Sequence, residues 1–349
     1  MAVITIVGAG MMGSALAFPA RENGHEVRLV GTHLDREIID ACWETGRHPK
    51  FTKDFPAGVR YYQIEELDQA LEGAELVIGG VSSFGVEWFG EQVLPKIADG
   101  VKVLTVTKGL MDMPDGRLLP YPYLWREKLD RLGKRLRLMA VGGPCTSYEL
   151  VAHDQTEVAF CGWDKEALAE AKSLLKTDYY HISLSGDVMG VETAVALKNG
   201  FALGIALTIG INQKCFGLDS EPHYNSQAAV FGEASREMYT LLKLQGAQDL
   251  TNLWIGLGDL YVTVYGGRTR LAGILLGRGL DVDEAKRELK GVTLESLVVA
   301  CRVARAMRIR AQRGDVSLSE LPLLMHVDEI LSEKKPVDIP WERFTFVRA

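Results

Sequence analysis

The stretch Val3-Ile4-Thr5-Ile6-Val7-Gly8-Ala9-Gly10-Met11-Met12-Gly13, followed at once by the helical run Ser14–Glu22, decides how the rest of the chain is read. A strand that feeds a G-x-G-x-x-G turn and then a helix is the setting in which such glycines bind a dinucleotide. The first makes the tight turn, the second lets backbone approach a pyrophosphate, and the third lets helix pack on strand. The phosphates then rest on the helix N-terminus, where free N–H groups and the helix dipole favour negative charge. Outside this setting the same letters would read as a plain glycine-rich turn. Gly8, Gly10, Met11, Met12 and Gly13 are therefore the expected cofactor loop. The stretch lacks the basic flank and small-residue cleavage site of a signal peptide.

Outward from this start, short β-rich runs alternate with helical segments to about residue 187. The strand candidates are Val3–Val7, Glu26–Val30, Leu76–Val81, Val101–Thr107, Leu138–Val141, Glu157–Cys161 and Tyr180–Leu184. Nearly all-apolar strands alternating with helices imply a parallel sheet covered on both faces, the doubly wound α/β pattern. After Met189 the texture changes to helical spacing through Val191–Gly204, Ser226–Leu244, Val282–Leu289 and Leu294–Met307. A chain of 349 residues exceeds the roughly 250–300 at which one core stops growing. The expected organisation is a doubly wound (Rossmann) domain over residues 1–187 and an all-α domain over 188–349. Met113–Arg137, rich in Pro, Tyr and charge, reads as an elaborated connection. The apolar run Gly200–Ile211 is shorter than the ~18 residues of a membrane span and is bracketed by Lys198, Asn199, Asn212 and Lys214, so it reads as a buried core helix.

The balance of 39 Lys+Arg against 46 Asp+Glu leaves a formal charge of −7, which repels nucleic acid and anionic membrane but permits a local basic pocket for a small anion. Five scattered cysteines without a C-x-x-C pair argue against a disulfide framework and a zinc site, and fit a reducing cytoplasm. The histidines have no metal spacing, and no metal is expected. Cys145 follows Gly143-Pro144 with no histidine placed beside it, and reads as a small packing residue rather than a nucleophile.

Which dinucleotide binds depends on the tip of the second strand. Enzymes using NAD usually carry an acid there, about 20 residues beyond the glycines, for the ribose 2′-hydroxyl. This tip reads Val30-Gly31-Thr32-His33, with no acid until Asp35. Thr32, His33 and Arg36 can donate to a 2′-phosphate, which favours NADP; read as a merely polar turn, the tip leaves NAD open.

Two lysines stand where the fold makes them interesting. Lys108 ends a strand at the carboxyl edge of the sheet, where doubly wound folds bind ligands. Lys198 lies in the otherwise apolar Thr193-Ala194-Val195-Ala196-Leu197-Lys198-Asn199-Gly200 and must be paired, snorkel to an edge, or serve function. Downstream, Asp259 and Thr263 are four apart and share a face of any helix that holds them. Gly266-Gly267-Arg268 then suit a turn that captures an anion by guanidinium and helix-end N–H groups. The plain alternatives are a helix cap for Asp259 and a solvated charge for Arg268.

Taken together, Gly8-Ala9-Gly10-Met11-Met12-Gly13-Ser14-Ala15-Leu16, Thr107-Lys108-Gly109-Leu110, Gly143-Pro144, Ala196-Leu197-Lys198-Asn199, Gly256-Leu257-Gly258-Asp259-Leu260 and Gly267-Arg268 resemble the NAD(P)-dependent glycerol-3-phosphate dehydrogenases. The resemblance runs in order from residue 1 to about 310, and the Lys-Asn and Gly-Leu-Gly-Asp-Leu motifs are its specific part. It implies that Lys198 donates and accepts the proton, that Lys108 touches cofactor and substrate, and that Asp259 with Thr263 orients Lys198 and the substrate oxygens. It places the Gly143 backbone, Asn199, Gly267 and Thr269 along the substrate, Arg268 on the substrate phosphate and at the cofactor, and Ser147 and Glu295 near the cofactor. Three positions depart from the family pattern: Thr269 replaces the Asn after the arginine, Cys145 replaces a small residue, and Tyr148 replaces a Lys. Thr269 removes an amide beside the phosphate and the substrate hydroxyls.

The implied reaction is reduction of dihydroxyacetone phosphate to sn-glycerol 3-phosphate, with Lys198 as its ammonium protonating the developing alkoxide and Lys108 stabilising the same charge. Thr269 keeps open a relative acting on another small ketone, such as another polyol phosphate, a sulfonate or a 2-oxo acid. A dinucleotide-binding protein without catalysis is the remaining reading, opposed by retention of both lysines and Asp259. A homodimer is expected, since a helical second domain with apolar faces often pairs.

Overall fold

The computed structural model describes residues 1–266, 268–289 and 295–344. Its strands are β1 (Val3–Val7), β2 (Glu26–Val30), β3 (Arg60–Tyr62), β4 (Leu76–Gly79), β5 (Lys102–Thr105), β6 (Leu110–Asp112), β7 (Leu118–Pro120), β8 (Arg137–Gly142), β9 (Thr156–Gly162) and β10 (Tyr180–Ser185). Eight of them form one sheet in the order β10-β9-β8-β5-β4-β1-β2-β3. β1 lies between β2 and β4, parallel to both, and the parallel ladder continues through β5 to β8. Apolar clusters cover both faces of this sheet, as a parallel sheet requires. The fold is a Rossmann-like parallel sheet followed by a helical portion.

The sheet differs from a purely parallel one at a single junction. β9 runs antiparallel to β8, with Ala140 opposite Cys161, and β10 then runs parallel to β9. A strand buried on both faces carries no sign of its direction, so this reversal leaves no mark on residues 156–162.

The chain divides into two compact units, Met1–Lys108 with Pro120–Glu192, and Gly109–Leu119 with Thr193–Ala349. The expected boundary at 187/188 thus differs by five residues, and Gly109–Leu119 groups with the helical unit. The strands β6 and β7 of this segment pair with each other. Leu110 and Leu118 enter the helical core, Arg305 reaches Asp112 at 2.7 Å, Arg313 donates to the Asp115 carbonyl at 2.6 Å, and Gln245 donates to the Leu118 carbonyl at 2.8 Å. The region 113–137 is accordingly more than a connection. After β7 it forms the helix Tyr121–Leu132, whose Trp125 stacks on Phe89 at 4.8 Å and donates to the Val86 carbonyl at 3.0 Å.

In the second unit the apolar run around 200–211 belongs to a longer helix than expected, Val188–Phe216, 29 residues. By length and composition it is long and apolar enough to cross a membrane, but 78% of its most apolar window is buried. Glycines set its closest packing. A methyl carbon on Gly210 would lie 2.1 Å from the Ile274 carbonyl oxygen, and one on Gly277 would lie 2.2 Å from that of Leu207. The helix Arg268–Arg278 therefore crosses the long helix backbone to backbone, which anchors the chain immediately after residue 267.

Candidate active site

In the first unit the glycine turn is closed by backbone alone. Gly8 has φ +108°, donates to the Val30 carbonyl at 2.9 Å, and packs against Gly80 at the end of β4. A methyl carbon on Gly8 would sit 2.7 Å from the Gly80 carbonyl carbon; one on Gly13 would sit 2.8 Å from the Gly8 oxygen, and one on Gly80 would sit 2.6 Å from that same oxygen. Gly80 is thus a fourth member of the cradle. The helix Met11–Ala15 begins from Gly10 in extended conformation with no side-chain cap, so its leading N–H groups keep their free dipole end. Met11 and Met12 are half-buried on this turn. These features fit a pyrophosphate.

Two side chains hold the turn from behind. His48, buried, donates from Nε2 to the Ala9 carbonyl at 3.1 Å and accepts at Nδ1 from the Lys50 N–H at 3.1 Å, which fixes one neutral tautomer. Burial lowers its pKa, overriding the opposing hydrogen bond to Ala9. Asp35 accepts on one oxygen from the Ala9 N–H at 3.2 Å, the Thr32 N–H at 2.9 Å and the Thr32 hydroxyl at 2.7 Å. An acid at this tip reads from sequence as a ribose ligand, whereas the Asp35 carboxylate joins the β2 tip to the glycine turn. Thr32 is buried; His33 and Arg36 are exposed, with His33 5.7 Å from the Trp88 ring and Arg36 paired with Glu65.

Further along the same sheet edge, the Lys108 ammonium donates to the Gly143 carbonyl at 3.0 Å. Gly143 itself has φ +134°, and a methyl carbon there would lie 3.0 Å from the Val158 Cα. Ser147, buried, opens the helix Ser147–Ala152 just beyond.

In the second unit Lys198, on the long helix, forms an ion pair with Asp259 on the helix Leu253–Gly266. Asp259 is 1% exposed. The two helices meet closely because Gly256 faces Ala194, where a methyl carbon would lie 2.8 Å from the alanine Cβ. Thr263 shares the Asp259 face, and its hydroxyl donates to the Asp259 carbonyl at 2.7 Å. Asn199 is half-buried and Thr269 buried. Gly267 and the side chains of Arg268 and Glu295 lie outside the described residues.

Family models match both portions of the chain: the N-terminal model of NAD-dependent glycerol-3-phosphate dehydrogenase over residues 3–168 and its C-terminal model over 187–342. The chain belongs to the NAD-dependent glycerol-3-phosphate dehydrogenase family. Among its relatives, an NADP(+)-dependent glycerol-3-phosphate dehydrogenase of Archaeoglobus fulgidus is 34% identical over 289 residues, covering 82% of this chain and 84% of the relative. A glycerol-3-phosphate dehydrogenase [NAD(P)+] of Syntrophobacter fumaroxidans is 28% identical over 337 residues, 95% and 92% of the two chains. The same fold is seen in the glycerol-3-phosphate dehydrogenase of Plasmodium falciparum, with a TM-score of 0.81 at 19% identity over 96% of this chain and 92% of that one. Membership in this family makes the cofactor a nicotinamide dinucleotide.

Proposed function

We propose that this chain interconverts dihydroxyacetone phosphate and sn-glycerol 3-phosphate, using NADP in preference to NAD. The observation that carries the reading is the ion pair between the half-buried Lys198 and the buried Asp259 within a member of this family. The bound dinucleotide supplies the hydride. Lys198, held by Asp259, gives the proton to the oxygen that becomes the alcohol, and takes it back in the oxidising direction. Lys108 sets its ammonium against negative charge at the Gly143 edge. Arg268 takes the phosphate, with Asn199, Thr263 and Thr269 beside the substrate, and Ser147 and Glu295 serve the cofactor. NADP preference is supported by Asp35, whose engaged oxygen faces the glycine turn, by the exposed donors His33 and Arg36, and by the name of the Archaeoglobus relative. Thr269 favours a second reading in which a different small ketone is reduced, because it lacks the amide of the family asparagine. A homodimer in the cytoplasm completes the proposal; sedimentation of the purified protein at twice the 38.5 kDa chain mass is its check.

The deciding experiment is a panel of ketones with NADPH and with NADH, read by loss of nicotinamide absorbance. Dihydroxyacetone phosphate with NADPH is expected to give the highest kcat/KM. Faster turnover of a non-phosphorylated or sulfonated ketone would move the substrate to the second reading, and no turnover with any ketone would remove the assigned chemistry.

A further inference from the structure

Glu192 lies four residues into the long helix and is 0% exposed. Among the described residues neither of its carboxyl oxygens has a hydrogen-bond partner. That is unusual for a carboxyl in an apolar interior, where an unpaired acid ordinarily finds donors. Groups from several elements of the first unit act on this position directly or through a neighbour. Lys108, from the loop after β5, is the charge acting on Glu192. Cys161, on β9 and wholly buried, feels Glu192 and Asp187, and Tyr123, on the helix Tyr121–Leu132, feels Asp187 and Cys161. The thiol is kept neutral by burial, and among the described residues the counter-charge acting on the acid is Lys108.

We propose that Glu192 is a positioning residue for Lys108: a buried carboxyl whose ionisation neutralises the lysine and so weakens its grip on an anionic substrate as the solution turns alkaline. This rests on the reductase reading for the part that Lys108 plays. Burial pushes the Glu192 carboxyl up to about 8, against the pull of Lys108. Near neutral pH the acid is therefore protonated and the lysine keeps its charge for substrate. Above pH 8 the carboxylate forms and pairs with the ammonium. The same shift has a consequence for folding. The unfolded chain releases this proton near pH 4.5 while the folded chain holds it to about 8, so rising pH through that window destabilises the fold, and the loss is complete above the upper value.

The test compares wild type with Glu192→Gln, which mimics the neutral acid, and Glu192→Ala, in the full-length protein. The first measurement needs no substrate: urea unfolding from pH 5 to 9.5. Wild type is expected to lose stability relative to Glu192→Gln as pH rises towards 8 and then to run parallel. In a Lys108→Met background the same difference curve should shift to higher pH. A flat difference curve, or one that Lys108→Met leaves in place, overturns the proposal. The second measurement is kcat/KM against pH with dihydroxyacetone phosphate and NADPH. Wild type is expected to fall by roughly tenfold more than Glu192→Gln between pH 7 and 9, the span of an ionisation near 8. Superimposable profiles overturn it, as does a uniform loss in Glu192→Gln that matches Glu192→Ala at every pH, since that marks packing alone. Should no variant turn over any ketone while the unfolding curves separate as described, the function reading fails and the Glu192–Lys108 coupling stands.

Discussion

Around Gly8, Gly13 and Gly80 the first unit offers backbone and almost no side chain, whereas at Lys198 and Asp259 the second unit sets two full charges against each other inside an apolar helix pair. The first arrangement binds by leaving room: a methyl carbon on any of these glycines would lie within 3 Å of backbone. The second acts by holding a proton on one chosen nitrogen, and depends on the carboxylate that keeps it there. A cradle of this kind fails by steric exclusion, a charge pair by loss of either partner, and the two modes of failure separate experimentally.

The largest effect is expected at the pair. Lys198→Ala should lower kcat by about 10²–10⁴, the usual worth of a general acid, while dinucleotide binding stays measurable. It should also cost about 3–5 kcal/mol of stability, because the buried Asp259 loses its ammonium counter-charge. Combining Lys198→Met with Asp259→Leu is expected to return most of that stability and none of the turnover. Turnover of Lys198→Ala within tenfold of wild type would take the residue out of the chemistry.

Next comes the cradle. Gly80→Ala puts a carbon 2.6 Å from the Gly8 oxygen and 3.0 Å from the Gly13 Cα, so the turn must shift. NADPH affinity should fall tenfold or more, with about 1–3 kcal/mol of stability, as overpacking typically costs. Gly186→Ala, which meets nothing within 4 Å, is the control and should change neither. Equal fluorescence titrations for Gly80→Ala and wild type would show that the turn has slack. Asp35→Asn should follow with a rise of about tenfold in the KM of both NADPH and NADH, since a charge-assisted latch of the turn is lost. A rise confined to NADH would make Asp35 a ribose ligand instead.

Local sequence carried most of the architecture because the first unit's strands are long enough for their apolar character to show, and because an apolar helix interrupted by Lys198 draws attention to itself. Asp259 was legible for the same reason, four residues before Thr263 on one face. The remainder depends on contacts that no window of residues contains. β3 is three residues long, Arg60–Tyr62, too short for any period. β6 and β7 look like loop because each is also three residues long, and their partners Arg305 and Gln245 lie more than a hundred residues away. Gly80 gains meaning only against Gly8, across the β1–β4 ladder. Asp35 was visible but assigned no task, since its hydrogen bond to Ala9 spans 26 residues. Glu192 stands in plain view beside Thr193 in an apolar helix; its full burial with no hydrogen-bond partner among the described residues is a property of packing.

The smallest effect sharpens the contrast from the cradle side, because there a titratable group serves backbone. His48 must stay neutral in the folded protein, giving its Nε2 proton to Ala9 and its Nδ1 lone pair to Lys50. Its folded pKa is depressed by burial below the ordinary 6.5, so the unfolded chain takes up the proton first as solution is acidified. The stability it contributes is whole above pH 6.5 and is lost as pH falls through the depressed value. His48→Gln, whose amide can donate and accept along the same two directions, should therefore unfold with less acid dependence than wild type in that window, while the two run parallel above pH 7. His25 and His326 are shifted the same way and supply a common background, which the difference between the two proteins removes. NADPH affinity should follow the same difference curve, since protonation breaks the Lys50 contact behind the turn that carries the phosphates. Coincident curves across pH 5 to 8 would mean that the turn holds its shape without the imidazole, and that backbone alone builds the cradle.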